Sequence, residues 1–283
     1  MATPATQVEN PYDTLPRVGP YEVSIGRALI TMVEPQPGHE QAYNRWYEDD
    51  HYYAGALAWP WLFAGRRWVA PRELQALRYP AESKLVQPLR RGCYMSLYWI
   101  TDGRFEQFSQ WATATNQRLN ADGRIFMQRD HVFTAFQDYV GCAYRDAKGP
   151  RDIHALDYPF AGLVVEVVEA PDAASRQKLE RWLLYTHLPA RLRGSPAAMC
   201  LAFRTEAVPD TTPAYVLRGM ETTRNDRRVT LLWFLQADPR QCWKEHFVDE
   251  GAAVAKGGLG QVDFCAPFIP THPGSDDYVD QLR

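Results

Sequence analysis

Arg45-Trp46-Tyr47-Glu48-Asp49-Asp50-His51 is read again 136 residues further on, as Arg181-Trp182-Leu183-Leu184-Tyr185-Thr186-His187. One Arg-Trp-x-x-x-x-His pair would carry little weight alone. Two more landmarks keep nearly the same offset: Arg67 meets Arg204, 137 apart, and Leu97-Tyr98-Trp99-Ile100 meets Leu231-Leu232-Trp233-Phe234, 134 apart. Slips this small are what loop insertions leave between copies of one unit. The chain reads as two copies of a single plan.

Working outward from the first copy, the apolar pattern predicts a strand over 21–34, with Val23, Ile25, Ala28, Ile30 and Met32 as its buried positions. Pro35-Gln36-Pro37-Gly38 breaks it, and a helix follows over 39–53. Strands are expected over 61–69 and 92–100, then a helix over 105–119 with Phe105, Phe108, Trp111 and Ala112 on one stripe, then a strand over 132–144. In the second copy, strands are expected over 160–168, 197–205, 228–235 and 262–269. Its helices run from Pro171-Asp172 to about His187, and from Asp238-Pro239 to about Ala255. A long Pro/Thr/Arg connection spans 206–227. Each copy is β-α-β-β-α-β. The division that follows is an N-terminal arm over 1–20, repeats over 21–150 and 151–270, and a C-terminal tail over 271–283.

A four-stranded antiparallel sheet with both helices on one face leaves its other face bare. A second copy covers it most simply, and two such sheets close into a barrel with an apolar interior. The expected fold is therefore α+β: two ferredoxin-like repeats forming an intramolecular, pseudo-dimeric α+β barrel.

His187-Leu188-Pro189-Ala190-Arg191-Leu192, Gly194-Ser195-Pro196 and Arg204 resemble the signature of the dimeric α+β barrel superfamily, in particular its EthD-like branch. There a Trp and a His end the first helix, and a Pro-rich turn leads into a strand bearing an Arg. Trp46, His51, Pro60 and Arg67 match the pattern more loosely. The resemblance spans roughly 21–270. It implies a group that includes small cofactor-free cyclases, dehydratases, isomerases and quinone-forming monooxygenases, together with haem-dependent relatives. Such a fold leaves the reaction open.

Composition narrows the field. The aromatic share is 13%, with nine Trp, fifteen Tyr and twelve Phe, which suits a pocket with flat apolar walls. A net charge of −3 provides no basic field, so nucleic acid is not an expected partner. Five scattered cysteines without C-x-x-C spacing read as reduced thiols of a cytoplasmic protein. No apolar run approaches the ~18 residues of a membrane span, and the first twenty residues resemble no signal peptide. The expected partner is a small aromatic or hydrophobic substrate, with a homodimer left open.

The candidate chemistry centres on His51, whose near-neutral pKa suits a general acid and base. Tyr47 lies one helical turn before it. Asp50, a sequence neighbour, points about 100° away and would orient the imidazole only where the helix frays. Arg67 would stabilise an anion. Only one of Arg66 and Arg67 can face inward. Trp46, Tyr52, Tyr53, Trp99, His131, His187 and Arg204 complete the set as substrate-binding residues. Plainer roles compete: His51 as a helix C-cap, and Arg67 paired at a rim with Glu48 or Asp50. Glu48-x-x-His51 lacks a second His or Cys pair, so no metal site is expected. No phosphate loop or nucleophile elbow is present.

The reading that results is a lyase or isomerase working without metal or organic cofactor, with haem kept as a lesser alternative through His51 or His187. It would move protons on a small aromatic or polycyclic substrate in the barrel cavity, by elimination, isomerisation or cyclisation. Two alternatives stand beside it: a cofactor-free or haem-dependent monooxygenase of the same fold, and a non-catalytic binder of hydrophobic ligands.

Overall fold

Strands β3 (Tyr94–Thr101) and β7 (Arg228–Leu235) are buried at every position. Strands covered on both faces read as continuous apolar runs, which is how the sequence presents them. The computed structural model describes residues 23–205, 214 and 226–283. The arm expected over 1–20 and nearly all of the 206–227 connection lie outside them.

The first half runs β1 (Ile25–Pro35), α1 (Glu40–Trp46), β2 (Leu62–Val69), a short α2 (Arg72–Gln75), β3, α3 (Phe105–Ala121) and β4 (Arg129–Tyr144). The second runs β5 (Gly162–Glu169), α4 (Arg176–Trp182), α5 (Leu188–Leu192), β6 (Ala197–Thr205), β7, α6 (Pro239–His246), α7 (Glu250–Lys256) and β8 (Gln261–Pro270). The strands close as β1-β3-β2-β8-β5-β7-β6-β4, all pairs antiparallel. Each half contributes a ferredoxin-like sheet, so the fold is an intramolecular α+β barrel. No helix among the described residues is long and apolar enough to cross a membrane.

The two seams between the halves differ. β4 and β6 pair from Gln137↔Thr205 to Tyr144↔Met199, whereas β2 and β8 share only Trp68↔Pro270 and Val69↔Ile269. The connection over 70–93 lies against the short seam. Tyr79 N–H donates to the Cys265 carbonyl at 3.2 Å, and Cys265 N–H to the Tyr79 carbonyl at 2.7 Å.

The barrel interior is core, not cavity. Trp68, Leu97, Trp99, Val165, Phe203, Leu232, Phe234, Phe264 and Phe268 belong to one buried cluster. Trp99 stacks on Phe203 at 5.4 Å, and Trp68 meets Phe234 edge-on at 6.2 Å. The expected apolar barrel cavity is thus filled by the very aromatics that suggested it.

Three helices depart from the expected pattern. The one predicted over 39–53 is α-helical only to Trp46, and π-helical turns follow over Tyr47–His51 and Tyr53–Leu57. The second half has the same switch after Trp182, a π-turn over Leu183–His187. There Pro189 cannot donate back into the preceding turn. The helix expected to reach Ala255 breaks between His246 and Glu250 into α6 and α7. At the front of α6, Asp238 caps the Arg240 N–H at 2.9 Å, with Pro239 in the first turn.

Candidate active site

The pleat of β2 decides the first question. Trp68 points into the barrel, so Arg67 points out, beneath α1. There it is 4% exposed, donates from Nη1 to Asn44 Oδ1 at 3.1 Å, and pairs with Glu48. Its guanidinium carbon sits 4.3 Å from the Tyr47 ring centroid and 5.0 Å from that of Tyr94. The Tyr47 and Tyr98 hydroxyls are 2.5 Å apart. Tyr52 OH donates to the Gly65 carbonyl at 2.5 Å. Arg66 takes the other face and donates to the Leu156 and Tyr158 carbonyls at 3.3 and 2.5 Å.

His51 owes its place to the π-turn. Residues five apart in an α-helix point about 140° away from one another, but the wider turn brings His51 back over Trp46. The two rings stack at 4.3 Å and 18°, and Tyr47 meets the imidazole edge-on at 5.3 Å. Gly55 closes the far side, since a Cβ there would lie 2.2 Å from His51 Nδ1. That nitrogen is buried without a hydrogen-bond partner. Burial, followed by the charges of Arg129, Arg67 and Arg124, pushes the imidazole down to about 3, so it is neutral at physiological pH. Asp50 does not orient it; that carboxylate pairs with Arg124, whose carbonyl accepts from Trp46 Nε1 at 2.7 Å.

His131 arrives through a bulge. Met32 pairs with Phe133 but Val33 pairs with His131, so Val132 is the extra residue. The bulge re-aims His131 to the helix side of the sheet. Its Nδ1 lies 2.7 Å from Thr134 Oγ1, which lies 2.7 Å from Thr31 Oγ1. Its Nε2 is buried without a partner. Burial, Arg129 and His51 all hold it well below the ordinary imidazole value.

Thus Trp46, Tyr47, His51, Tyr52, Arg67 and His131 share one layer between the first sheet and its helix. The other sequence candidates do not join them. Tyr53 is 55% exposed. Trp99 lies inside the barrel. His187 and Arg204 belong to the second half, where His187 Nε2 bonds Glu250 and Arg204 Nε lies 3.4 Å from Glu180. Nearby, Glu166 is fully buried and accepts from Trp233 Nε1 at 2.9 Å. Burial and the neighbouring Glu250 raise its carboxyl well above the usual range, which favours the protonated acid.

Sequence reasoning missed Tyr43, Thr31, Thr134 and Arg129, and set Tyr94 and Tyr98 beside Trp99 as cavity-lining residues. Tyr94 and Tyr98 had a usable signal, because they alternate with the Leu97–Trp99 face of β3. Arg129 stands two residues before His131, and its guanidinium lies 4.7 Å over Trp46. The layer gathers several unpaired polar atoms, as the barrel-facing side does with Trp68 Nε1, Trp99 Nε1, Gln137 Nε2 and Thr230 Oγ1. Tyr43 OH, Tyr94 OH, Arg67 Nε and Nη2, His51 Nδ1 and His131 Nε2 are all buried without hydrogen-bond partners. Such groups are costly in a folded interior, and their concentration points to a built site.

No known family model matches the sequence, and no curated protein matches it. Among solved structures the chain is similar to an anthrone oxidase-like protein, with TM-score 0.52 and 10% identity over 89% of this chain and 95% of that one. It is also similar to an encapsulated DyP-type peroxidase from Mycobacterium smegmatis, at TM-score 0.49 and 11% identity, covering 93% of this chain and 95% of that one. A third is a DypB variant from Rhodococcus jostii RHA1 in complex with haem, at TM-score 0.47 and 8% identity, covering 91% and 94%. Identities this low speak to the fold alone, the dimeric α+β barrel.

The expectation of a chain without a cofactor is withdrawn; the Rhodococcus jostii neighbour is a complex with haem. The two histidines that the sequence offered to haem are hemmed in on named sides. His187 has Nε2 engaged by Glu250 and is 6% exposed. His51 has one ring face closed by Trp46 and Nδ1 turned onto Gly55.

Proposed function

We propose that the layer around His51, Arg67 and His131 is the active site of an enzyme that abstracts and returns a proton on a small aromatic or polycyclic substrate. The reaction would be an elimination, isomerisation or cyclisation. One observation carries this reading: two neutral imidazoles, each with one buried and unpaired ring nitrogen, lie in the same layer as a guanidinium and two tyrosine hydroxyls with idle donors. In the resting site burial, aided by the arginines, keeps His51 a weak base. An anion forming beside Arg67 would offset those charges, so basicity would rise as the substrate ionises. Arg67, Tyr43 and Tyr94 would receive the developing oxyanion, and the aromatic side chains would exclude water.

The test is deuterium exchange into hydroxylated aromatics and polycyclic ketones in heavy water, followed by mass spectrometry. The intact protein should label an acidic carbon of its substrate. His51→Ala and His131→Ala should each slow this by about 10²–10⁴-fold, the usual worth of a positioned acid–base group. Equal labelling by the double variant would sink the proposal.

A second reading keeps the site and changes the fate of the anion, which would react with dioxygen as in an oxidase or monooxygenase. The fold likeness to the anthrone oxidase-like protein prompts it. Oxygen uptake in step with substrate loss would select it. We also infer that the two halves are diverged copies of one EthD-like unit, because the Trp–His stack and its π-turn recur in both.

A further inference from the structure

Glu48 and Asn44 each face two ways. Glu48 holds Arg67 with Oε1, while its Oε2 accepts from the Gly274 N–H at 3.3 Å. Asn44 accepts from Arg67 with Oδ1 at 3.1 Å, and its Nδ2 donates to the Ser275 carbonyl at 2.8 Å and to Asp276 Oδ1 at 2.9 Å. Arg45 donates to the Ser275 carbonyl at 2.5 Å and pairs with Asp276 at 2.7 Å, and Gln41 donates to Asp276 at 3.1 Å. Among the described residues, both side-chain acceptors of Arg67 are therefore also fasteners of residues 274–276.

Arg67 itself is only partly satisfied. Its Nε and Nη2 are buried without partners, as are the hydroxyls of Tyr43 and Tyr94, whose rings lie 6.0 and 5.0 Å from the guanidinium carbon. A guanidinium can hold a carboxylate through two parallel bonds, but here one edge is idle. Removing its only carboxylate would strand a buried charge, a strongly unfavourable state. Exchanging that carboxylate for another anionic oxygen keeps the guanidinium paired.

We propose that Arg67 anchors an anionic oxygen, carboxylate or phenolate, of a planar aromatic ligand, with Glu48 as its built-in placeholder and residues 274–276 as the latch. When the ligand's oxygen takes the place of Glu48 Oε1, Glu48 is left to the latch alone. Loosening the latch favours the exchange. The proposal rests on the preceding reading only in placing the ligand in this layer, and it is tested by binding rather than turnover.

Calorimetry on the full chain would use 1-naphthoate, 4-nitrophenolate and the neutral 1-naphthamide. The intact protein should prefer at least one anion to the amide. Glu48→Gln removes the competitor and should tighten that anion about tenfold, or ~1.4 kcal/mol, leaving the amide unchanged. Asp276→Asn should shift affinity in the same direction, and Arg67→Gln should erase the preference. If Glu48→Gln proves unstable, the same anion should raise its Tm more than it raises that of the intact protein. No preference for either anion would overturn the proposal. So would a Glu48→Gln variant that gains neither affinity nor a larger Tm rise. Preference kept in His51→Ala, with deuterium exchange lost, supports both readings. Exchange absent with preference intact strikes the catalytic reading alone, and exchange intact without preference strikes only this one.

Discussion

His51 lies flat on Trp46, ring centroids 4.3 Å apart and planes 18° from parallel, and His187 lies over Trp182 at 4.7 Å and 31°. In both halves the contact spans five residues and depends on a π-turn. Such turns concentrate at functional sites because they sacrifice regular hydrogen bonding for side-chain placement. The two stacks serve different surroundings. In the first half the imidazole faces arginines; in the second it is held by a carboxylate.

Gly55 should be intolerant of any side chain. An added Cβ would fall 2.2 Å from His51 Nδ1, so Gly55→Ala should destabilise the chain by about 1–3 kcal/mol, as overpacking does. Chemical denaturation would measure this. The His51 ring signals in NMR should also lose the upfield shift expected from the Trp46 indole.

Stability should fall on acidification. His51 drops from an ordinary value near 6.5 to about 3 on folding, and His131 is shifted in the same direction. Below the ordinary value the unfolded chain binds protons that the folded chain refuses, so His51 removes up to about 1.4 kcal/mol per pH unit between those limits and His131 acts in the same direction. Urea titrations at pH 7, 6, 5 and 4 should show that slope, and His51→Asn should flatten it. An unchanged slope would mean that His51 titrates normally.

Glu166 should act with the opposite sign. Its carboxyl is raised on folding, so above the usual carboxylate range the unfolded chain releases a proton that the folded chain keeps. Stability is lost as pH rises. Glu166→Gln mimics the protonated acid and can still accept from Trp233. It should be more stable than the parent at pH 8, with the advantage shrinking toward pH 4.

Trp99 is a test of the filled barrel. Trp99→Ala should cost about 3–5 kcal/mol, the range for a large aromatic removed from a core. If the candidate site lies outside the barrel, a variant that still folds should keep its preference for the anionic probe. Loss of that preference would move the site inward.

The strands were the most legible part of the sequence. The predicted 197–205 and 228–235 are the observed β6 and β7. What could not be read was which face of a strand looks inward. With β3 buried at all eight positions, alternation showed that Trp99 and Tyr98 are opposed but not which one meets the barrel axis. Arg67 posed the same ambiguity, and only its packing against Asn44 and Glu48 resolved it. The π-turn was equally hidden, because one extra residue per turn barely disturbs the apolar spacing of a short helix. It moved His51 away from Asp50 and onto Trp46. His131 escaped notice as a partner of His51 for a related reason: a one-residue bulge reverses the face, and nothing in Asp130-His131-Val132 announces it.

The unequal seams give the barrel a spine and a clasp. Seven registered pairs join the halves through β4 and β6, while two join them through β2 and β8. The bridge between Tyr79 and Cys265 then fastens the clasp side from outside the strands. Mechanically the molecule is a book held shut along one edge by its 70–93 segment. Lengthening or loosening that segment would act on the closure of the whole barrel, far more than on the loop that contains it.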